Sequence, residues 1–214
     1  MVRHADAASD AEACRAIYAP HVVDGAVSFE HEPPSATAFA ERIERTSLTH
    51  PWLVAERYGA IAGFAYASPH RARPGYRWAT DVAVYVDAAW RRAGIGRQLY
   101  AALLPLLSRQ GLHVACAGIT LPNAASVGLH EALDFAPVGV YRGIGYKAGA
   151  WHDVGWWQLR LTDAEGAPTE PLPPQRLDDA LISPTPGSVG PRQPERVLGD
   201  MVEDHLLADR SNPQ

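Results

Sequence analysis

The stretch that most restricts the fold is WRRAGIGRQLY, Trp90 to Tyr100. It follows RWATDVAVYVD (77–87), where Val82, Val84 and Val86 alternate with Ala83 and Tyr85 as on the two faces of a strand. It opens a helical pattern with leucines at 99, 103, 104, 106 and 107 that ends near Gly111. Pro105 inside that pattern predicts a kink or a late bend. A long strand that turns through glycine into a helix calls for an α/β arrangement. It also leaves the first N–H groups of the helix without intrahelical partners, facing whatever lies beyond the turn. Glycine lets a ligand approach that backbone closely, so the turn is suited to an anion.

Three phosphate-binding turns compete for this sequence. A dinucleotide fingerprint needs a third glycine, where Leu99 stands, and an acidic residue about 20 positions on, where Cys116 and Ala117 stand. A nucleoside-triphosphate loop needs Lys and then Ser or Thr after its last glycine, and neither is present. The third, R/Q-x-x-G-x-G/A, holds the pyrophosphate of coenzyme A, and Arg91-Arg92-Ala93-Gly94-Ile95-Gly96 matches its specified positions. The alternative is a glycine-eased turn with solvated arginines.

The remaining periodicities give the order β-α-α-β-β-β-α-β-α-β-β, a mixed sheet with helices on both faces. The first helix is expected to begin behind Ser9 or Asp10 and the second behind Pro34 and Ser35. PWLVAER and IAGFAYAS read as a hairpin, HVACAGITL as a buried strand, and Asn123 as a helix cap. From Thr162 onward the pattern dissolves. Residues 162–214 hold 9 of the 18 prolines, with 4 basic and 10 acidic residues against 15 and 14 in residues 1–161. We therefore expect a domain at 1–161 and a disordered acidic tail at 162–214, with one amphipathic helix at 195–209.

The net charge of −5 argues against nucleic acid as a partner. No apolar run reaches membrane length and no basic-then-apolar leader opens the chain, so a cytoplasmic protein is expected. Cys14 and Cys116 make no disulfide framework and read as buried thiols of a reducing compartment. Trp151, Trp156 and Trp157 cluster with one His152 and one Asp153, too few ligands for zinc, so no metal is expected.

The segments PWLVAE, IAGFAYASP, ARPGYRWATDVAVYV, RRAGIGRQLY, LPNAASVGLHEALDF and GYKAGAWHDVGWWQL together resemble the GNAT superfamily of acetyl-CoA-dependent N-acetyltransferases. Within it the chain resembles the phosphinothricin and methionine sulfoximine N-acetyltransferase group, over roughly residues 13–161. The resemblance implies the GNAT fold, a homodimer, and acetyl transfer from acetyl-CoA to the α-amino group of a small amino acid or analogue. It implies that Ala83, Val84, Tyr85 and Val86 pair with the pantetheine arm, that Arg91 to Gly96 (with Ala93 and Ile95) cradle the pyrophosphate, and that Asn123 and Ser126 lie beside the cofactor.

The resemblance also assigns site residues. Asp81 stands where the family has a glutamate base, one methylene longer; the alternative is a strand-end acid paired with Arg77. His130 matches a catalytic histidine, and histidine exchanges protons near neutral pH. Phe29, Arg73 and Tyr76 match acceptor-binding positions, Arg73 being suited to a carboxylate. Lys147 matches a family lysine that attracts anionic substrate or the dimer partner; an ordinary surface lysine is the alternative. The residues alone also allow a polyamine or protein N-terminus as acceptor, or an acyl-CoA-binding module without catalysis.

Overall fold

A computed structural model describes residues 1–163 and 166–177. Along the chain lie β1 (Val2–His4), α1 (Ala7–Val23), α2 (Ala36–Ser47), β2 (Trp52–Arg57), β3 (Ala60–Pro69) and β4 (Ala79–Val86). After them come α3 (Ile95–Arg109), β5 (Val114–Thr120), α4 (Ala124–Glu131), β6 (Ala136–Lys147) and β7 (Ala150–Arg160). The order is the one the periodicities predict. The seven strands form one sheet, β1-β2-β3-β4-β5-β7-β6. Every neighbouring pair is antiparallel except β4 and β5.

Alternation along the strands separates two cores. Leu53, Ala65, Val82, Ala115 and Ala117 face α3, whose Leu99, Leu103, Leu106 and Leu107 are buried against them. Trp52, Val54 and Phe64 face the other way, onto Cys14, Ile17 and Tyr18 of α1 and Phe39 and Ile43 of α2. Helix α3 runs unbroken through Pro105. Ser35 caps α2 as expected, its Oγ accepting from Ala38 N. Helix α1 starts earlier than expected, behind Asp6, whose Oδ1 accepts from Ala8 N and Ser9 N. Asp10 is not free to cap: it is buried and takes two bonds from the Arg3 guanidinium, at 2.6 and 2.9 Å. The Arg3 donors outweigh the cost of burial and hold the Asp10 carboxyl below its usual range.

Part of the stretch assigned to the tail lies on the domain. Trp78 Nε1 donates to Thr169 O at 2.7 Å, and Leu172 exchanges bonds with Gln110 through its N–H and its carbonyl. Pro174 is buried and Leu177 packs on the α3-side core. Proline-rich composition predicts disorder, yet the carbonyls of Thr169 and Leu172 between these prolines accept from the domain's donors. The helix expected at 195–209 lies outside the described residues.

Candidate active site

The parallel pairing of β4 with β5 is short. Ala79, Thr80 and Asp81 pair with Val114, Ala115 and Cys116, and no pairing continues beyond. From Val82 on, β4 has β3 on one side only, and its other edge has no strand partner among the described residues. The two strands diverge around a cleft of about 1140 Å³. Ala83, Val84, Tyr85 and Val86 line one wall, and Ala117, Gly118, Ile119 and Thr120 the other.

The cleft ends on the turn that precedes α3. Arg92 and Gly94 both take positive φ, 63° and 77°, which folds the backbone back and aims the first turn of α3 at the opening. Gln98 is the first residue of the helix to bond back, to Gly94 O, leaving the N–H groups of Ile95, Gly96 and Arg97 at the free end. Arg91, Arg92 and Arg97 line the same end. Three free donors and three guanidiniums make a site for a polyanion such as a pyrophosphate. Ala93 is not in the lining; its N–H bonds to Trp90 O. Gly96 also serves packing, because a Cβ there would stand 3.0 Å from Leu129 Cδ2 of α4.

Asn123, Ser126 and His130 of α4 complete the far wall. Asn123 Oδ1 caps α4 through Ser126 N. His130 Nδ1 lies 2.8 Å from Ser126 O, which can only accept, so Nδ1 carries the proton. Nε2 then accepts from the Tyr100 hydroxyl at 3.0 Å. Burial outweighs the Ser126 bond and lowers the His130 pKa, so the ring is neutral at pH 7 with both nitrogens in use.

Residues 4–156 match the acetyltransferase (GNAT) domain family. The chain belongs to the GNAT acetyltransferase family. It is 43% identical to the phosphinothricin N-acetyltransferase of Streptomyces viridochromogenes over 157 residues, 73% of this chain and 85% of that protein. It is 38% identical to the L-methionine sulfoximine/L-methionine sulfone acetyltransferase of Salmonella typhimurium over 124 residues, 58% of this chain and 72% of that one. A crystal structure of a phosphinothricin acetyltransferase from Sinorhizobium meliloti with AcCoA superposes at a TM-score of 0.76 and 32% identity, covering 83% of this chain and 97% of that one.

In this GNAT chain Asp81 stands at the crotch of the two diverging strands, on the α1/α2 side of the sheet. The β3–β4 register sets Ser68 opposite it, and the chain beyond β3 brings His70 back onto it. His70 Nδ1 lies 2.6 Å from Asp81 Oδ1. Burial pushes the Asp81 carboxyl above its ordinary value, and the His70 bond and charge draw it part of the way back. The His70 ring meets Tyr76 and Trp156 edge-on, at 6.1 and 5.7 Å, and Trp156 in turn meets Tyr141 at 5.9 Å. The buried indole N–H of Trp156 has no partner among the described residues. The alternative in which Asp81 pairs with Arg77 is not the one formed: Asp81 bonds His70 and Arg77 bonds Glu170. Arg73 lies exposed ahead of the turn that carries Tyr76.

Phe29 belongs to a second group. Its ring stacks into the space over Gly145, where a Cβ would meet it at 2.2 Å, and faces His152 at 6.3 Å. Lys147 stands behind it rather than on the surface. It is 7% exposed, and Nζ donates to Val22 O and Ser28 O, both at 2.6 Å. Tyr18 and Ser28 hydroxyls share a 2.6 Å bond in the same place. Lys147 thus fixes the loop that presents Phe29, and its ammonium is already occupied.

His70, Asp81 and Cys116 offer donor atoms that all lie within 4.8 Å of one another. The His70–Asp81 separation is that of a hydrogen bond, whereas two ligands of one tetrahedral zinc stand roughly 3.3 Å apart. Burial, and then the Asp81 charge, push the Cys116 thiol up to about 11, and burial pushes Cys14 up to about 12, so both stay protonated at neutral pH. His152 and Asp153, set aside as metal ligands, bond to Lys147 O and Gly143 N.

Replacing Lys147 with Met should strand two buried carbonyls and cost about 1–3 kcal/mol, read from the urea midpoint. The loosened Phe29 loop should raise the acceptor KM and leave acetyl-CoA affinity unchanged. An unchanged midpoint together with an unchanged KM would contradict the clamp.

Proposed function

We propose that this protein transfers the acetyl group of acetyl-CoA directly to the α-amino group of a small amino acid or analogue, of the phosphinothricin or methionine sulfoximine type. The observation that carries this reading is the position of Asp81. It stands where β4 parts from β5, at the head of the strand edge that lines the polyanion cleft, with His70 on its carboxylate and Tyr76 and Trp156 packed against the His70 ring. In this reading Arg91, Arg92 and the free end of α3 hold the pyrophosphate, and the unpaired edge from Ala83 to Val86 takes the pantetheine amides. The same backbone edge offers fixed N–H donors to the oxyanion that forms at the thioester carbon.

The acceptor's α-carboxylate is assigned to Arg73, an exposed guanidinium just ahead of the turn that carries Tyr76, by bidentate bonding. Proton uptake from the amine is assigned to the Asp81 end of the cleft. His130 is assigned to hold the Tyr100 hydroxyl at the cleft wall, since a neutral ring with both nitrogens engaged has no proton to give. Two thiols held protonated favour direct transfer over an acyl-cysteine, and they suit a reducing, cytoplasmic setting. The similarity to curated acetyltransferases of phosphinothricin and of methionine sulfoximine supports this acceptor class.

We also propose a homodimer through the hairpin of β6 and β7. β6 is the sheet's edge, and Val138, Val140, Ile144, Tyr146 and Trp151 are all exposed on this hairpin. Sedimentation equilibrium should return twice the 23.1 kDa chain mass, and Val140→Glu with Ile144→Glu should return the monomer. A wild-type monomer would contradict the dimer.

Thiol release from acetyl-CoA should be detected with phosphinothricin or methionine sulfoximine among a panel of amino acids and polyamines. Asp81→Ala should lower kcat by roughly 10²–10⁴-fold and leave acetyl-CoA binding intact. Binding of acetyl-CoA with no turnover on any amine would favour an acyl-CoA-binding module, and turnover confined to polyamines would move the acceptor class.

A further inference from the structure

The Asp81 carboxylate at the head of the open β4 edge does not stand alone. His70 Nδ1 occupies one of its oxygens at 2.6 Å, and that is the only side-chain bond His70 makes among the described residues. A carboxylate oxygen accepts only, so Nδ1 bears the hydrogen and Nε2, across the ring, carries the lone pair. The histidine is held in place on several sides. Tyr76 and Trp156 pack against its ring edge-on, and its side chain is only 17% exposed. The charged or titratable groups around the pair are Arg71 on the same loop, Tyr76 on the following turn, Tyr66 on β3 and Cys116 on β5, whose thiol stays protonated.

We infer that Nε2 of His70 is the atom that takes the acceptor's proton, and that Asp81 is the positioning residue that sets its tautomer and stabilises the imidazolium. This rests on the acetyl-transfer reading above. The steps balance as follows. Nε2 takes one proton from the acceptor's ammonium and later releases it to water. The amine lone pair forms the C–N bond, the C–S bond breaks, and the second N–H proton passes to the coenzyme A thiolate. Acetyl-CoA and the acceptor's ammonium ion thereby give an amide, free thiol and one proton.

The test uses the full-length chain. His70→Asn keeps an N–H for Asp81 and removes the distal acceptor. Its kcat should fall roughly 10²–10⁴-fold, with acetyl-CoA binding and thermal midpoint retained. His70→Ala opens a ring-sized space, and added imidazole should restore part of its turnover while leaving Asp81→Ala without comparable recovery. A His70→Asn variant within about threefold of wild-type kcat, or one changed only in KM, would overturn the assignment. Failure of the wild type to turn over any amine would instead sink the acetyl-transfer reading. A readout independent of turnover is ¹⁵N NMR of labelled histidines, assigned with His70→Asn. It should show His70 protonated at Nδ1 and bare at Nε2, and the opposite tautomer would refute the proposal.

Discussion

The abrupt end of the β4–β5 ladder is the constraint on which the rest of the structure depends. Three paired residues hold the two strands together, and past Asp81 and Cys116 they part. A buried strand edge has to find partners for its N–H and C=O groups. Here that need is left open along a cleft whose far end carries the unbonded first turn of α3 and three arginines. The sheet therefore offers an extended ligand two kinds of contact, amide pairing along β4 and charge at the helix end. It places the junction between them and the acceptor side at one residue.

The two halves of the site are held by different means. The cofactor half is built into regular elements: the strand edge, the helix start, and α4 pressed close through Gly96. The half proposed for the acceptor is made of loops that the fold pins from outside. Lys147 grips the Phe29 loop through two carbonyls. On the other side, the segment at 166–177 holds Trp78 through Thr169 and Arg77 through Glu170, just after the turn that carries Tyr76. A shared donor with variable acceptors suits this division, because loop contacts can change without disturbing the strand edge.

Much of this was legible in the sequence. The strand–turn–helix around Gly94, the order of all eleven elements, the Ser35 cap and the two-residue hairpin turn at Tyr58 and Gly59 all follow from local pattern. What was not legible depends on contacts between distant residues. Asp10 looked like a cap until Arg3 on β1 claimed it. Lys147 looked like a surface or substrate lysine, and only the packing of β6 against the end of α1 buries it. His70 gave no signal at all, because it meets Asp81 only through the β3–β4 register. The segment at 166–177 was hidden by composition, since proline-rich chain reads as disorder even where the domain's donors bind its carbonyls.

In the proposed complex coenzyme A lies along the open edge of β4 with its phosphates at the start of α3. Hydrogen–deuterium exchange of the full chain, with and without coenzyme A, reads this placement. Exchange should slow at the amides of Val82 to Val86 and of Ile95 to Arg97 when the ligand is bound. Unchanged exchange along β4, with protection arising elsewhere, would contradict it.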